Sequence, residues 1–251
     1  MIKITDTVKH LIIINVIVFV GCLTVGEGAF NLFSIWFPEN NNFKVWQIFT
    51  HMFMHSPVFI PHILFNMLAL WMFGSALELD WGRNKFLFFY FSCGLGAVLL
   101  PFIIDYVQFN SIINDLVANG FQKDTILSTL NSGRYNTGWE SVIGGDKLQK
   151  LQGVFFTSGL GASGCIMGLL VAFGIKYPNS ELMLLFLPIP IKAKYFIPLL
   201  LAYEIYSGVF KGASIFGVNV NNFAHVGGAL TGFIIAWYWK KNSMNKYRWD
   251  Q

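Results

Sequence analysis

Residues 85–104 read KFLFFYFSCGLGAVLLPFII, a single lysine followed by uncharged residues only. Twenty residues at 1.5 Å rise make a helix of about 30 Å, the thickness of a bilayer's hydrocarbon core. The rest of the chain has the same character. Of its 251 residues 55% are hydrophobic, 17% aromatic and only 12% charged, with a mean hydropathy of +0.55. A water-soluble chain of this length cannot hide so much apolar surface. The composition excludes an ordinary soluble enzyme and a disordered chain, and makes the bilayer part of the solvent. The net charge is +4, and the aromatics lie in apolar runs rather than among Lys and Arg, so no nucleic-acid platform is expected. Cys22, Cys93 and Cys165 each sit inside an apolar run, which suits small core residues better than a disulfide framework or a metal cage. The first apolar run, from Leu11, is followed by further spans and no cleavage-site pattern, so it is not expected to be a signal peptide.

Working outward, the hydropathy predicts six spans in an all-α bundle, near Val8 to Val25, Pro61 to Leu79, Lys85 to Ile104, Ala162 to Lys176, Lys194 to Phe210 and Asn219 to Trp239. An even count puts both termini on one side. That side collects 11 of the Lys and Arg residues and the other 6, so both termini are expected in the cytoplasm. Spans two, four and six then start at the outer face and run inward. Two stretches are not expected to span. Residues 43–55, FKVWQIFTHMFMH, are too short, and Pro57 and Pro61 separate them from the second span, so they are read as an outer interfacial segment. Residues 105–153 are polar and are expected to form an external insertion between spans three and four. Two short amphipathic helices are expected there, one using Ile112, Ile113, Leu116 and Val117, the other Ile126, Leu127 and Leu130.

Polar side chains inside a span are costly and mark functional candidates. The even spans hold His62 and Asn66, Ser163, and His225, each in the first third of its helix and so within roughly 10 Å of the helix start. Three helices far apart in sequence thus present polar groups at one depth. Gly164 and Gly168 form a small-xxx-small face, as do Gly228 and Gly232, and such faces let helices approach closely. A histidine within hydrogen-bond reach activates a serine hydroxyl that is otherwise a poor nucleophile. His62 and Asn66, spaced i and i+4, share a face and both carry donors for an oxyanion. Taken singly, each is as well explained by packing or a structural hydrogen bond between helices. The fourth span covers only about 22 Å, so Leu151 to Gly161 is expected to enter as irregular backbone, which is tolerated only around a water-filled cavity.

Together these residues resemble the rhomboid family of intramembrane serine proteases. Gly161-Ala162-Ser163-Gly164 fits GxSG, Ala224-His225-Val226-Gly227-Gly228 with Gly232 fits AHxGGxxxG, and His62 to Asn66 fits the family's second-span motif. Trp46, Gly74 to Glu78, Phe86, Tyr90 and Gly94 also look like family positions, and the resemblance covers roughly 43–104 and 154–240. It implies a six-helix core within one rhomboid-like membrane domain over residues 1–251. It also implies a Ser163 nucleophile with His225 as general base and no carboxylate. The oxyanion site would be His62 and Asn66 with the Ser163 amide. No cofactor, metal or nucleotide is implied. The substrates would be single-pass transmembrane proteins, cut in or near the transmembrane segment. The lateral gate would involve the fifth span and the cap would be about Lys211 to Val220. With no transit peptide evident, the plasma membrane is the expected location. The chain departs from the family in having Gln47 after Trp46 rather than arginine, Met167 rather than an aromatic one turn after the serine, and two extra residues between His55 and His62.

Three further candidates stand outside the motifs. Asp105 could orient His225, though a solvated interface position suits it better. Glu204, mid-span beside Tyr203 and Tyr206, is read as structural or gate-forming rather than chemical. His51 and His55 are spaced for a metal, but no third ligand is apparent, so loop packing is expected. Two other classes compete with the protease. One is a rhomboid-like protein that binds transmembrane segments without cutting them. The other is a small transporter, disfavoured because no inverted repeat is visible.

Overall fold

The computed structural model describes residues 3–184, 187–210 and 221–245. Helix α1 (Asp6–Val25) leads into α2 (Glu27–Phe33), and an extended loop then brings in α3 (Gln47–Thr50), closed by a single tight turn. Next come α4 (Pro61–Ala69) and α5 (Ser75–Trp81), joined by a wider π-helical turn at Leu70–Gly74, so that the two form one bent rod. Pro61 opens α4 at the position where its missing N–H leaves no partner unsatisfied. Helix α6 (Arg83–Ala118) is followed by α7 (Lys123–Asn131), α8 (Glu140–Ile143) and α9 (Gly145–Phe156). Then come α10 (Ser163–Lys176), an antiparallel hairpin of β1 (Glu181–Leu184) and β2 (Leu187–Lys192), α11 (Ala193–Phe210) and α12 (Asn222–Asn245).

Among the described residues, Asp6–Val25, Pro61–Trp81 and Arg83–Ala118 are long and apolar enough to cross a membrane, and Ser163–Lys176 is a shorter apolar helix. The protein is a mostly helical, multi-pass membrane bundle. Its centre is α6, α10 and α12, packed around Cys93, Leu169, Leu170 and Ala229, with Phe86 and Phe89 beside Leu77 toward one end. At that end Asp80 pairs with Lys176 at 2.8 Å, Trp81 stacks edge-on against Trp239, and Lys85 lies 4.7 Å over the Trp239 ring. The ends of α5, α10 and α12 therefore meet there with the start of α6, and α4, α10 and α12 all begin at the opposite end. The buried Glu78 of α5 fixes α1 against this core. Its carboxylate accepts from the Thr7 and Val8 amides at 3.3 and 3.1 Å and from the Thr5 hydroxyl, satisfying orphan donors at a helix N-terminus.

Two expectations need correction. The segment with Ile112, Ile113, Leu116 and Val117 is not a separate helix; it continues the third span to Ala118, because nothing between Ile104 and Asn110 interrupts helical backbone. Pro101 does not stop it either. Leu151 to Phe156 is the end of α9 rather than irregular chain, leaving only residues 157–162 outside helix before Ser163. The second amphipathic helix is present as α7, with Ile126 and Leu130 buried.

Residues 105–156 build a second apolar cluster around Phe109, Ile113, Leu116, Trp139, Leu151 and Phe155. Phe37 of the preceding loop enters it, 4.8 Å from the Phe109 ring. Asn40 donates to the Phe155 carbonyl at 2.8 Å and Asn131 to the Glu39 carbonyl at 3.2 Å, so the loop and the insertion are fastened together.

Candidate active site

Two backbone features set the geometry. Gly161 has φ +123°, a conformation costly for a residue with a Cβ, and its amide donates to the His51 carbonyl at 2.9 Å. A Cβ at Gly161 would lie 3.0 Å from the His62 ring and 3.6 Å from Ser163 Oγ, so the missing side chain lets α4 and α10 begin side by side. The second feature is the contact of α10 with α12. A Cβ at Gly228 would overlap the Gly164 carbonyl, so the two backbones touch one residue beyond Ser163 and three beyond His225. Ser163, the first residue of α10, then stands 2.9 Å from the ring of His225, measured from Oγ to Nε2.

His62 and Asn66 lie on the same cavity wall as this pair. The Asn66 amide donates to the His62 carbonyl at 2.7 Å, one turn earlier. An Asn amide carries two hydrogens, so a second donor is left for a ligand. Behind His62, 5.1 Å away between ring centres, is the fully buried His55. Burial first, and the neighbouring His62 second, push the His55 imidazole down to about 4. His51 is lowered to about 4 as well by burial, although its Nδ1 donates to the Gln47 carbonyl at 2.8 Å. Both rings are therefore neutral near pH 7 and serve the architecture of the loop.

The cavity has a volume of about 780 Å³. Ser163, His225, His62, Asn66 and Met167 line it together with Trp36, Phe102 and the insertion residues Asp105 and Gly153. The insertion thus supplies part of the wall. Gln47 is completely buried. Its side-chain oxygen accepts from the Trp36 and Lys44 amides at 3.3 and 3.1 Å, and its nitrogen donates to the carbonyls of Asn42, Asn31 and Leu32 at 2.9 to 3.3 Å. Without an arginine the loop is still fastened, by a neutral hub that carries both a donor and an acceptor. Trp46 adds a bond from its indole nitrogen to the Leu32 carbonyl at 2.9 Å.

One arrangement was not legible in the sequence. The Glu204 carboxylate of α11 approaches His225 Nδ1 to 3.1 Å, and its other oxygen accepts from Asn222 Nδ2 at 2.7 Å. Asp105 lines the same cavity, but the carboxylate against His225 is Glu204. The only sequence signal was an ionisable residue in mid-span; which partner it meets depends on the register of α11 against α12. The predicted cap, Lys211 to Val220, lies outside the described residues.

The Rhomboid domain family model matches residues 42–120 and 123–242. Among curated proteins, the chain is similar to the proteins named Rhomboid protease GlpG of Salmonella paratyphi A and Salmonella typhi, at 37% identity over 71 residues. Each match covers 28% of this chain and 25% of the relative, so the chain spans about a quarter of the length of these relatives. The family match covers most of the chain, including the elements that bring Ser163, His225, His62 and Asn66 to one cavity, and the protein belongs to the rhomboid family.

Proposed function

We propose that this protein is an intramembrane serine endopeptidase that cuts single-pass membrane proteins in or near their transmembrane segments. The observation that carries this reading is the 2.9 Å contact of Ser163 Oγ with His225 Nε2 in a cavity shared with His62 and Asn66. In the proposed reaction His225 Nε2 takes the Ser163 proton as Oγ attacks the scissile carbonyl carbon. The carbonyl oxygen becomes an oxyanion, held by the Ser163 amide at the positive end of α10 and by donors from His62 and Asn66. The imidazolium returns its proton to the leaving amine, and the C–N bond breaks. Water then attacks the acyl-enzyme with His225 again as base, releasing the new carboxylate and Ser163.

The topology proposed with it is one membrane domain over residues 1–251 with six spans, both termini cytoplasmic, in the plasma membrane. The meeting of Asp80, Lys176, Lys85 and Trp239 at one end, opposite the cavity, supports an inward-running course for α4, α10 and α12. Residues 105–153 are the external insertion of this scheme.

The test is cleavage of a model single-pass substrate in liposomes by the wild type, Ser163→Ala and His225→Ala. Cutting beside the transmembrane segment by the wild type, with a loss of at least ~10³-fold in both variants, is expected. A folded wild type that neither cuts nor is labelled at Ser163 by a fluorophosphonate would overturn the reading in favour of a non-cutting binder of transmembrane segments.

A further inference from the structure

An ionisable side chain in mid-span is costly and needs a partner that compensates it. Glu204 has two. Its side chain is 10% exposed and that of His225 12%. One carboxylate oxygen lies 3.1 Å from His225 Nδ1, and the other accepts a 2.7 Å hydrogen bond from Asn222 Nδ2. Asn222 and His225 are three residues apart in the first turn of α12, so they share a face and a single carboxylate grips both. Among the described residues no aligned hydrogen bond satisfies His225 Nδ1, and the Glu204 carboxylate at 3.1 Å is the acceptor that stands against it. A neutral imidazole has one N–H. For Nε2 to accept the Ser163 proton, that N–H must be on Nδ1, the nitrogen facing Glu204.

We infer that Glu204 is a positioning residue for His225, completing a Ser163–His225–Glu204 triad that spans α10, α12 and α11. The inference rests on the protease reading above, and it departs from the carboxylate-free dyad that the family resemblance implies. Glu204 touches no substrate. It holds the hydrogen on Nδ1, fixes the ring, and faces the imidazolium that forms when Ser163 is deprotonated. This suits a site with flexible Met167, rather than an aromatic ring, one turn after the serine. Asn222 keeps the second oxygen occupied, so the carboxylate cannot rotate away without losing a buried bond. Other titratable groups lining the cavity are His51, His62 and Asp105, and none of them forms an ion pair with His225 Nδ1.

Substitution by glutamine separates orientation from packing. If its oxygen stays on Asn222, its NH₂ faces Nδ1 and forces the hydrogen onto Nε2, where it blocks the base. Glu204→Gln and Glu204→Leu are therefore expected to lower kcat by about 100-fold or more with KM changed less than about 3-fold, and to slow fluorophosphonate labelling of Ser163 in parallel. Glu204→Asp should recover part of kcat. Leu suits a bilayer helix, so folding of that variant is checked by its melting temperature, which should not fall. Nitrogen NMR of ring-labelled histidine reads the tautomer directly, with the His225 hydrogen on Nδ1 in the wild type and on Nε2 in Glu204→Gln. Activity within 3-fold of wild type in both variants, beside a dead Ser163→Ala, would overturn the inference and leave the protease reading intact. A wild type that neither cuts nor labels would overturn the protease reading. The NMR comparison would then still decide, since an unchanged His225 tautomer in Glu204→Gln sinks the positioning role.

Discussion

The two apolar clusters of this protein are built by different means. Where α10 meets α12, contact is made by Gly164, Gly168, Gly228 and Gly232, backbone against backbone. The cluster of residues 105–156 is filled instead by Phe109, Trp139, Phe155 and several Leu and Ile, while Lys123, Arg134, Asp146 and Lys150 are exposed. Against lipid, burying a large apolar side chain gains little, because the tails are already apolar; helices hold together by close approach and polar contacts. Against water, aromatic burial is the main stabilising term. The difference teaches that the spacing of Ser163 and His225 rests on small residues, whereas the packing of residues 105–156 rests on large ones.

The largest effect is expected from breaking the small-residue contact. Gly228→Val puts a branched side chain where a single Cβ already meets the Gly164 carbonyl. The helices must part, and a displacement of about 1 Å at a reacting group costs on the order of 100-fold in rate. Cleavage should fall by at least that factor, and the melting temperature should drop, since overpacking costs about 1–3 kcal/mol. Retained activity would mean that the Ser163–His225 distance is set elsewhere.

The second effect should be confined to the other cluster. Trp139 is 2% exposed, and Trp139→Ala should remove about 3–5 kcal/mol of local stability. Limited proteolysis should then open the chain between α7 and α9, while the fluorophosphonate still labels Ser163. If the helical bundle melts together with the insertion, the two clusters are one cooperative unit and the contrast between them fails.

How far the sequence led depends on the range of the information needed. The apolar helices, the glycine faces and the placing of Ser163, His62, Asn66 and His225 near the starts of their helices are local properties of each segment, and hydropathy and spacing express them directly. The length of α6 was missed because hydropathy ends at Ile104 where the backbone does not; the stripe of Ile112, Ile113, Leu116 and Val117 reads as a separate short helix but continues the same one. The hairpin of β1 and β2 gave no alternating signal, since Pro188 and Pro190 interrupt it. The pairing of Glu204 with His225 is a question of helix register, and no single segment contains it. The burial of Gln47 was hidden for the same reason. Its five partners span Asn31 to Lys44, and only the closed loop brings them to one side chain.

The smallest of these effects lies at the seam between the two clusters, where the loop carrying His51 and His55 meets Gly161. Both imidazoles are held down at about 4, against an ordinary value of about 6.5, chiefly by burial. A depressed histidine is neutral when folded and takes up its proton only on unfolding. Its contribution is therefore fully present above about pH 6.5 and is lost as the pH falls toward 4. Each ring should remove up to about 3 kcal/mol between those limits. The check is the melting temperature of His55→Leu against the wild type across this window. His55 Nε2 has no hydrogen-bond partner among the described residues and its Nδ1 makes one 3.3 Å bond to the Phe53 carbonyl, so an apolar side chain of similar size should change stability by only about 1 kcal/mol at pH 8. Below pH 6 the variant should become the more stable of the two, by an amount that grows as the pH drops. Parallel curves would show that His55 is protonated in the folded protein, and that water reaches the seam from the cavity side.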